Sequence, residues 1–418
     1  TIIYTSGTTG TSKGVMLSHG NLLANAEDSL AALGLNETDM TLSHLPIAHS
    51  FERTAGYYTV TMAGGTIAFA ESLGQIASNL TEVEPTVVLT VPRLLEVIHS
   101  RVMRTVETAP AIRQRLFRMA LAAGEQAAEY RHRGKPVPPM LALSMALFRR
   151  LVFARVRAIF GSKIRYLISG GAPLPTEINR FLSAAEVPIV EGYGLTEAAP
   201  VVACNLHKGK TRIGTVGMPL AHIQVDTAPD GELLLRGPNI MKGYYKLEAE
   251  TKEAIDENGW LHTGDIAKID AEGYIAITDR KKEIIVLSGG KNVSPAYVEG
   301  KLVGDKFISQ ACVIGDRRKH CAALVVPDYE NLVDFLKDNN LDAKDTDALG
   351  KSQALRTLVQ GRIREINKQL SDVEAIAAFT IVPQPFTQEN GELTPSLKIR
   401  RKVVQAHFKE QIDSMFGD

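Results

Sequence analysis

The residues with the clearest chemical capacity form one run near the beginning of the chain. It reads Thr5-Ser6-Gly7-Thr8-Thr9-Gly10-Thr11-Ser12-Lys13-Gly14 and directly follows a short strand-like segment. Glycines let a backbone turn tightly around a polyanion, and hydroxyls with successive N–H groups can donate hydrogen bonds to phosphate oxygens. An isolated Gly/Thr/Ser stretch is ordinarily a surface loop. Here the length, the preceding strand and the terminal Lys-Gly pair favour phosphate binding instead.

The run does not satisfy the Walker A pattern of phosphotransferases. Ser12 stands where the second glycine before the lysine is required. The chain also lacks a His-Arg-Asp catalytic loop. A phosphotransferase that forms ADP is therefore the less favoured interpretation.

Further glycine-rich and charged motifs follow along the chain. They are Ser169-Gly170-Gly171-Ala172-Pro173-Leu174, Glu191-Gly192-Tyr193-Gly194-Leu195-Thr196-Glu197, Thr263-Gly264-Asp265, Asp279-Arg280-Lys281-Lys282, Ser288-Gly289-Gly290-Lys291 and a late Lys398. A threonine hydroxyl can donate to a phosphate, a glutamate is an oxygen ligand of the kind that Mg²⁺ prefers, and an aspartate offers two acceptor oxygens. Each motif alone also has an ordinary interpretation: Thr196-Glu197 could cap a helix, and Lys398 could be a surface lysine.

In type and order, these motifs resemble those of the adenylate-forming enzymes. That superfamily includes acyl-CoA synthetases, firefly-type luciferases and the adenylation domains of peptide synthetases. The matching residues extend from 5 to 398, which is nearly the whole chain. The resemblance implies a large α/β lobe of β-sheets covered by helices, followed by a smaller mobile α+β lobe. It also implies ATP and Mg²⁺ as cofactors and coenzyme A as co-substrate.

The resemblance assigns nucleotide-binding roles to individual residues. It implies that the first run, with Lys13, binds the phosphates of ATP. Thr196 is implied to donate to the α-phosphate, Glu197 to bind Mg²⁺, and Asp265 with Arg280 to hold the ribose. The adenine is implied to lie within a frame formed by Gly171, Ala172, Gly192, Tyr193 and Gly194.

The remaining roles concern two successive half-reactions. Lys398 is implied to be the catalytic lysine, bridging the acyl carboxylate and the α-phosphate while acyl-AMP forms. Asp279 is implied to be the hinge about which the smaller lobe rotates. That rotation would withdraw Lys398 and present the loop that lines the coenzyme A tunnel, which consists of Ser288, Gly289, Gly290, Lys291 and Asn292.

Within the superfamily, three segments are similar to those of long-chain fatty acid–CoA ligases. They are Leu45-Pro46-Ile47-Ala48-His49-Ser50-Phe51-Glu52-Arg53, Val91-Pro92-Arg93 and a long basic insertion before Ile164. They place His49 and Phe51 in the acyl pocket. Two rivals stay open: an enzyme that delivers acyl-AMP to a carrier protein, and an inactive lipid-binding fragment.

Composition excludes several other classes of function. The formal net charge is zero, with 44% hydrophobic and 22% charged residues, which gives no bulk field for nucleic acid. Cys204, Cys312 and Cys321 form no CxxC pair, which argues against zinc or a disulfide framework and indicates a reducing, cytoplasmic compartment. The chain opens in a strand-like segment without an initiator methionine, and we expect a missing N-terminal part.

Residues 101–165 are compositionally unusual. They contain 14 Lys and Arg against three Glu and no Asp, a local charge of +11, with apolar patches interleaved. One interpretation is a solvated helical insertion. The other is a basic amphipathic surface for peripheral contact with anionic membrane lipid, to which each base near the surface adds about 1 kcal/mol.

The elements that must position these motifs alternate between strand and helix in the first half of the chain. Apolar β-branched runs at 86–90, 164–169 and 187–190 predict strands, and 176–185 predicts a helix. From about Gly231, short strands separated by turns take over, and a helix is expected to begin at Ser294-Pro295. We therefore divide the chain into a large domain, 1–278, and a small domain, 279–418, which carries the lysine.

Overall fold

The computed structural model describes residues 1–5, 12–205, 211–281, 283–394 and 399–417, without the side chains of Leu73 and Asp347. Contacts divide these residues into two compact units. The larger unit contains Thr1–Thr5, Lys13–Thr263 and Ala267–Ile277. The smaller unit contains Ser12, Gly264–Ile266 and the described residues from Thr278 onward.

The described strands and helices follow one another in the alternation that the sequence predicts. The strands are β1 (Ile2–Tyr4), β2 (Gly14–Met16), β3 (Met40–Ser43), β4 (Thr66–Phe69), β5 (Val87–Thr90), β6 (Tyr166–Ser169), β7 (Ile189–Gly194), β8 (Val201–Cys204), β9 (Met218–Pro219), β10 (Gln224–Thr227), β11 (Glu232–Arg236), β12 (Gly243–Tyr244), β13 (Leu261–Ile269), β14 (Ile275–Arg280), β15 (Ile285–Val286), β16 (Asn292–Val293), β17 (Ile308–Ile314), β18 (Cys321–Pro327) and β19 (Ile376–Ile381). The helices are α1 (His19–Leu33), α2 (Thr59–Met62), α3 (Ile76–Val83), α4 (Pro92–Glu107), α5 (Ala111–His132), α6 (Pro139–Phe148), α7 (Ala154–Ala158), α8 (Thr176–Ala184), α9 (Glu248–Ala254), α10 (Pro295–Val303), α11 (Val333–Asp338), α12 (Thr346–Lys351), α13 (Gln353–Asn367), α14 (Arg401–His407) and α15 (Lys409–Phe416). Two π-helical segments, Glu52–Tyr58 and Arg149–Phe153, lie before α2 and α7.

A seven-stranded sheet forms the centre of the larger unit. Its order is β4-β3-β5-β6-β7-β8-β9, parallel as far as β7 and antiparallel beyond it. Every residue of β5 and β6 is buried, as expected for parallel strands covered on both faces. Val87 and Leu89 enter one hydrophobic cluster and Val88 enters another. Alternate side chains therefore build a core on each face of the sheet.

Polar residues end three of the parallel strands of this sheet, and Glu191 of β7 lies beside them. Thr90 of β5 is paired in register with Ser169 of β6, and Ser169 is paired with Glu191 of β7. Ser43 ends β3 in the same direction. Carboxyl ends of parallel strands are the edge at which α/β sheets bind ligands, so this edge is where the functional motifs of the larger unit are expected.

Two smaller sheets complete the larger unit. The strands β1, β2 and β12 form one of them, in which Ile2–Tyr4 and Gly14–Met16 make an antiparallel hairpin. The other has the order β10-β11-β13-β14 and belongs mostly to this unit. Gly273 turns the chain between β13 and β14 with φ of +88°, as the Glu272-Gly273 turn predicts.

The basic segment is a set of helices, α4 to α7, packed within the larger unit. Gly124 of α5 lies so close to α8 that an added Cβ would stand 2.5 Å from the carbonyl oxygen of Ala184. Phe117, Met145 and Phe153 are buried in the second hydrophobic cluster. The segment is therefore anchored to the sheet by one apolar face. None of the described helices is both long enough and apolar enough to cross a bilayer.

The smaller unit is built on a three-stranded sheet, β17-β18-β19, in which all seven residues of β18 are buried. Alternate residues of β18 again enter two clusters, Ala323 and Val325 in one and Leu324 and Val326 in the other. Helix α10 begins where the sequence predicts, because the Ser294 side chain accepts a hydrogen bond from the Tyr297 N–H and Pro295 takes the first helical position. The predicted fold class, an α/β lobe followed by an α+β lobe, is confirmed.

Candidate functional site

The two ends of the predicted phosphate loop are held together by the hairpin of β1 and β2. The N–H of Thr5 donates to the carbonyl oxygen of Lys13 at 3.0 Å. Ser6, Gly7, Thr8, Thr9 and Gly10 lie outside the described residues. The loop therefore joins two adjacent strands, which brings Thr5 and Lys13 side by side.

Lys13 contacts an aromatic residue that the sequence did not single out. Its Nζ lies 4.8 Å from the centroid of the Tyr244 ring, within the range of a cation–π interaction. Tyr244 is placed there by strand pairing, because it is in register with Val15 of β2. Its N–H donates to Thr251 Oγ1 at 2.9 Å.

Thr196 and Glu197 follow β7 in a short 3₁₀ turn. Tyr244 Oη donates to Glu197 Oε1 at 2.9 Å, so one tyrosine contacts both Lys13 and Glu197. Burial is the main cause that raises the pKa of Tyr244, and the nearby charge of Glu197 raises it further. The phenol therefore stays neutral and can donate a hydrogen bond. Thr196 Oγ1 lies 3.1 Å from Oγ of the buried Ser50. A cation, a hydroxyl and a carboxylate thus occupy one region beside the carboxyl edge of the sheet.

The chemistry of these donors fits Mg²⁺. Within the described part of the chain, no group of three or more His, Cys, Asp or Glu could hold a metal by itself. Mg²⁺ is commonly held by one or two carboxylates, with water and substrate phosphate oxygens completing its coordination. Glu197 can supply such a carboxylate, and Thr196 a hydroxyl beside it.

The residues implied to frame the adenine end two neighbouring strands. Gly171 and Ala172 follow β6 and are exposed, whereas Gly192, Tyr193 and Gly194 form the end of β7. A Cβ on Gly194 would stand 2.1 Å from the carbonyl oxygen of Pro200. Glycine is therefore required there for the strand to pass the chain that follows it.

In the smaller unit, Asp265 and Arg280 form an ion pair. Arg280 Nε donates to Asp265 Oδ1 at 3.0 Å, and Asp265 is only 3% exposed. The structure thus brings together the two residues to which the sequence assigned the ribose. Asp279 is half-buried beside them. Burial raises its pKa to about 6, although the Ser294 side chain and the Arg280 N–H oppose this shift.

The loop assigned to coenzyme A is the turn of a short hairpin between β15 and β16. Ser288, Gly289, Gly290 and Lys291 are all exposed, and Gly290 turns the chain with φ of +73°. The Ser288 N–H donates to the carbonyl oxygen of Arg318 at 2.8 Å. The catalytic lysine of the sequence analysis, Lys398, lies outside the described residues.

The two residues assigned to the acyl pocket have different environments. His49 is exposed, and its Nδ1 accepts from the Phe51 N–H at 3.2 Å. Phe51 packs on the backbone after β6, since a Cβ on Gly170 would be 2.9 Å from Phe51 Cζ. Phe51 therefore lies beside the carboxyl edge of the sheet, whereas His49 faces solvent.

Two buried carboxyls at this edge escaped the sequence analysis. Glu52 is 2% exposed and accepts from Ser43 Oγ at 2.6 Å, while its Oε2 has no partner among the described residues. Burial raises the pKa of Glu52 to about 7, and burial does the same to Glu191. The only available signal was a glutamate inside a motif whose neighbouring residues are mostly apolar.

Comparisons with known proteins identify the family of the chain. The AMP-binding enzyme family matches residues 1–245, and the AMP-binding enzyme C-terminal domain matches residues 282–418. The long-chain-fatty-acid–CoA ligase FadD15 of Mycobacterium tuberculosis is 36% identical over 423 residues, covering 100% of this chain and 69% of that protein. The peroxisomal long chain acyl-CoA synthetase 6 of Arabidopsis thaliana is 34% identical over 436 residues, covering 100% of this chain and 61% of that protein.

Solved structures share the fold. The adenylation domain of a carboxylate reductase from Mycobacterium chelonae has a TM-score of 0.76 at 25% identity, covering 100% of this chain and 60% of that one. O-succinylbenzoate coenzyme A synthetase from Bacillus subtilis, solved with ATP and magnesium ion, has a TM-score of 0.66 at 22% identity. The match covers 96% of this chain and 68% of that one. Together with the family matches, these findings show that the chain belongs to the AMP-binding enzymes.

Proposed function

We propose that the protein is a long-chain fatty acid–CoA ligase that uses ATP and Mg²⁺ and forms AMP. The relatives named as such ligases match the chain along its whole length. The structural observation that supports the chemistry is the grouping of Lys13, Thr196 and Glu197 beside the carboxyl edge of the sheet. A polyphosphate needs this combination of a cation, a hydroxyl donor and a ligand for its metal.

The first half-reaction needs no nucleophile from the protein. The substrate carboxylate attacks the α-phosphorus of ATP, the bond to the β-phosphate breaks, and pyrophosphate leaves with the displaced electron pair. Thr196 donates to the α-phosphate, Lys13 offsets negative charge, and Glu197 would hold Mg²⁺. Bound Mg²⁺ would neutralise charge on the phosphates. Lys398 is proposed to stabilise the charge that grows on the pentavalent phosphorus.

The second half-reaction transfers the acyl group to sulfur. The thiol of coenzyme A loses its proton and attacks the acyl carbon, and AMP leaves with the electrons of the anhydride bond. We assign the ribose of the adenylate to Asp265 and Arg280. Asp279 is proposed as the hinge and as the first residue of the small domain, 279–418, after a large domain of 1–278. Hinge residues absorb a backbone rotation between two active arrangements.

The substrate pocket is proposed to begin where Phe51 packs on Gly170. Phe51 presents an aromatic surface beside the carboxyl edge, whereas the exposed His49 is better placed at the entrance. The loop of Ser288, Gly289, Gly290 and Lys291 is assigned to coenzyme A because its turn is exposed and Lys291 offers a cation. A carrier-protein thiol would be the alternative acceptor.

A product analysis with the full-length protein tests the activity. Mg-ATP, coenzyme A and a series of fatty acids from short to long would be supplied, and nucleotide and acyl products read together by mass spectrometry. We expect AMP, pyrophosphate and acyl-CoA, with a maximum at long chains. Acyl-AMP without acyl-CoA would favour the carrier-dependent alternative, and ADP would contradict the mechanism.

We further propose a reducing, cytoplasmic location with peripheral membrane contact through residues 101–165. All three cysteines are free and buried, which is typical of proteins kept reduced. The basic segment carries a charge of +11, and long fatty acids partition into membranes. An enzyme held at an anionic bilayer would therefore lie close to its substrate.

A further inference from the structure

An unusual helical surface lies within the basic segment. Residues 139–158 form α6, a π-helical turn and α7 in succession, and one side of this stretch is buried through Met145, Phe148 and Phe153. The other side is apolar as well. Its exposed residues Met140, Leu143, Leu147 and Leu151 retain 54–78% of their accessible surface.

The spacing of these four residues places them in one stripe. They are separated by three, four and four positions, and residues at such intervals lie above one another on a helix. A helix that is hydrophobic on both sides is expected to be buried, or to meet an apolar partner. We call Met140, Leu143, Leu147 and Leu151 the apolar ridge.

The charged residues within the ridge's own stretch of sequence are all basic. No Asp or Glu occurs between positions 130 and 176, whereas Arg149, Arg150, Arg155 and Arg157 follow the ridge or interrupt it. Arg149 is paired with Glu186. Arg150 and Arg155 are exposed and, within the described part of the chain, have no ion-pair partner. The surface thus combines aliphatic side chains with free guanidinium groups.

From this geometry we infer that the ridge inserts into an anionic lipid surface, with Arg150 and Arg155 binding lipid phosphates. This inference rests on the peripheral contact proposed above and assigns it to one helical face. Interfacial helices place an apolar side among acyl chains and keep basic residues at the headgroups. A symmetric dimer through this face would instead place the same arginines opposite one another.

Fluorescence at introduced cysteines tests insertion directly. The three cysteines of this chain are buried. Once any cysteines elsewhere in the full-length protein are replaced by Ser, a cysteine introduced as Leu147→Cys can be labelled selectively with a polarity-sensitive dye. A matched control carries Ile112→Cys, which is 83% exposed on α5. With phosphatidylglycerol vesicles, we expect a blue shift at position 147 and none at 112. An unshifted dye at 147 on vesicle-bound protein would overturn the inference.

Sedimentation with vesicles separates the ridge from the wider contact. Replacing Leu143, Leu147 and Leu151 with Ser should weaken partitioning onto phosphatidylglycerol vesicles by roughly 100-fold, since each buried leucine contributes strongly. Arg150→Gln with Arg155→Gln should reduce it roughly 30-fold and weaken its dependence on anionic lipid. Folding is checked by the melting temperature, which substitutions at exposed residues should leave unchanged.

Each other result has a defined meaning. If the triple Ser variant partitions onto vesicles as the wild type does, insertion of the apolar ridge is wrong. If a variant with Gln at Arg113, Arg115 and Arg118 of α5 then loses binding, the membrane contact lies on α5 instead. If the wild type does not bind vesicles at all, the proposed membrane contact is wrong. Activity of the same protein on detergent-dispersed fatty acid would still support the ligase function. Dissociation of a dimer by the Ser substitutions would identify a second copy as the occupant.

A second inference concerns Tyr244, which contacts Lys13 through its ring and Glu197 through its hydroxyl. We propose that Tyr244 is a positioning residue that fixes the Glu197 carboxylate toward Mg²⁺ and the Lys13 ammonium toward phosphate. Its backbone is fixed by the pairing of β12 with β2. The hydroxyl and the ring therefore act on two different groups from one rigid position.

Two substitutions separate these contributions. Tyr244→Phe keeps the ring and removes the hydroxyl, and should weaken Mn²⁺ binding in the presence of ATP about 10- to 100-fold, as measured by electron paramagnetic resonance. The KM for Mg²⁺ should rise more than kcat falls. Tyr244→Leu should also raise the KM for ATP, and the neighbouring Tyr245→Phe is the control. Equal effects of Phe and Leu, or unaltered metal binding by Phe, would contradict the proposal.

Discussion

The two units carry their candidate functional groups in different ways. In the larger unit, Gly194, Thr196 and Glu197 end or follow the buried strand β7, and Lys13 is held by the antiparallel hairpin of β1 and β2. In the smaller unit, the buried sheet β17-β18-β19 holds none of the candidate residues. Asp265 and Arg280 lie on β13 and β14, and the 288–292 loop is an exposed turn. Substitutions in the larger unit should therefore affect stability and activity together, whereas those in the loops of the smaller unit should affect activity alone.

The largest effect is expected at Lys398. Replacing it with Ala should slow formation of acyl-AMP about 100- to 1,000-fold, the typical cost of removing one group that stabilises transition-state charge. Conversion of supplied acyl-AMP to acyl-CoA should be spared, and the melting temperature should not change. Single-turnover measurements of the two half-reactions check this. Equal loss in both halves would refute the role assigned to the lysine.

Two glycines, one in each unit, test whether substitutions in the larger unit cost more stability. Gly194→Ala should cost about 2–3 kcal/mol of folding stability, because the added Cβ meets the carbonyl of Pro200, a backbone atom that cannot move alone. Gly289→Ala has no atom within 4 Å of the added Cβ and should change stability by less than about 0.5 kcal/mol. Denaturant unfolding of both variants measures the difference. Similar losses of folding stability in the two variants would contradict the difference expected between the units.

The buried carboxyl of Glu52 predicts a particular pH dependence. Its pKa is raised from 4.5 to about 7 by burial, so the folded state binds the proton more tightly than the unfolded state. The contribution of Glu52 to wild-type stability should therefore be fullest below pH 4.5 and decline as the pH rises to about 7, by roughly 3 kcal/mol. Across that interval, the free energy of unfolding of Glu52→Gln should rise relative to that of the wild type. Above pH 7 the difference between the two should be constant.

Glu186 provides a control of opposite sign. Burial acts to raise its pKa, but Arg149 and Arg131 outweigh burial and hold the pKa low. It contributes stability above its ordinary pKa, and this contribution is lost as the pH falls. Glu186→Gln should therefore lose stability at neutral pH. Parallel pH profiles for the two variants, measured by thermal unfolding, would contradict both assignments.

The smallest effect is expected at the proposed hinge. Asp279→Pro should slow transfer to coenzyme A about tenfold more than it slows acyl-AMP formation, because a fixed φ restricts rotation of the smaller unit. Rates of the two half-reactions, measured separately, provide the test. Wild-type rates in both half-reactions would show that Asp279 is not a hinge.

The sequence could assign roles only to residues that lie within continuous motifs, and those roles stay predictions. The Thr196-Glu197 pair, the loop ended by Lys13 and the Asp265–Arg280 assignment all came from residues that stand together or in a familiar order. It also predicted the strands at 86–90 and 164–169 and the helix of 176–185, because hydrophobic periodicity reports local structure directly.

Contacts between distant residues escaped prediction. Tyr244 lies 47 positions from Glu197, and Ser50 lies 146 positions from Thr196, and one sequence holds no record of such pairs. Glu52 was concealed for a different reason. It begins the π-helical segment Glu52–Tyr58, and its side chain packs on Gly56, where a Cβ would stand 2.8 Å from Glu52 Cδ. Helical irregularity of that kind has no simple sequence signature.

An isotope-transfer measurement tests whether the carboxylate attacks the α-phosphorus of ATP. A long-chain fatty acid labelled with ¹⁸O in its carboxylate would be incubated with the full-length protein, Mg-ATP and coenzyme A, and the nucleotide analysed by mass spectrometry. Formation and thiolysis of acyl-AMP should leave one ¹⁸O atom in each AMP. Label in inorganic phosphate, accompanied by ADP, would show attack on the γ-phosphorus and contradict the account.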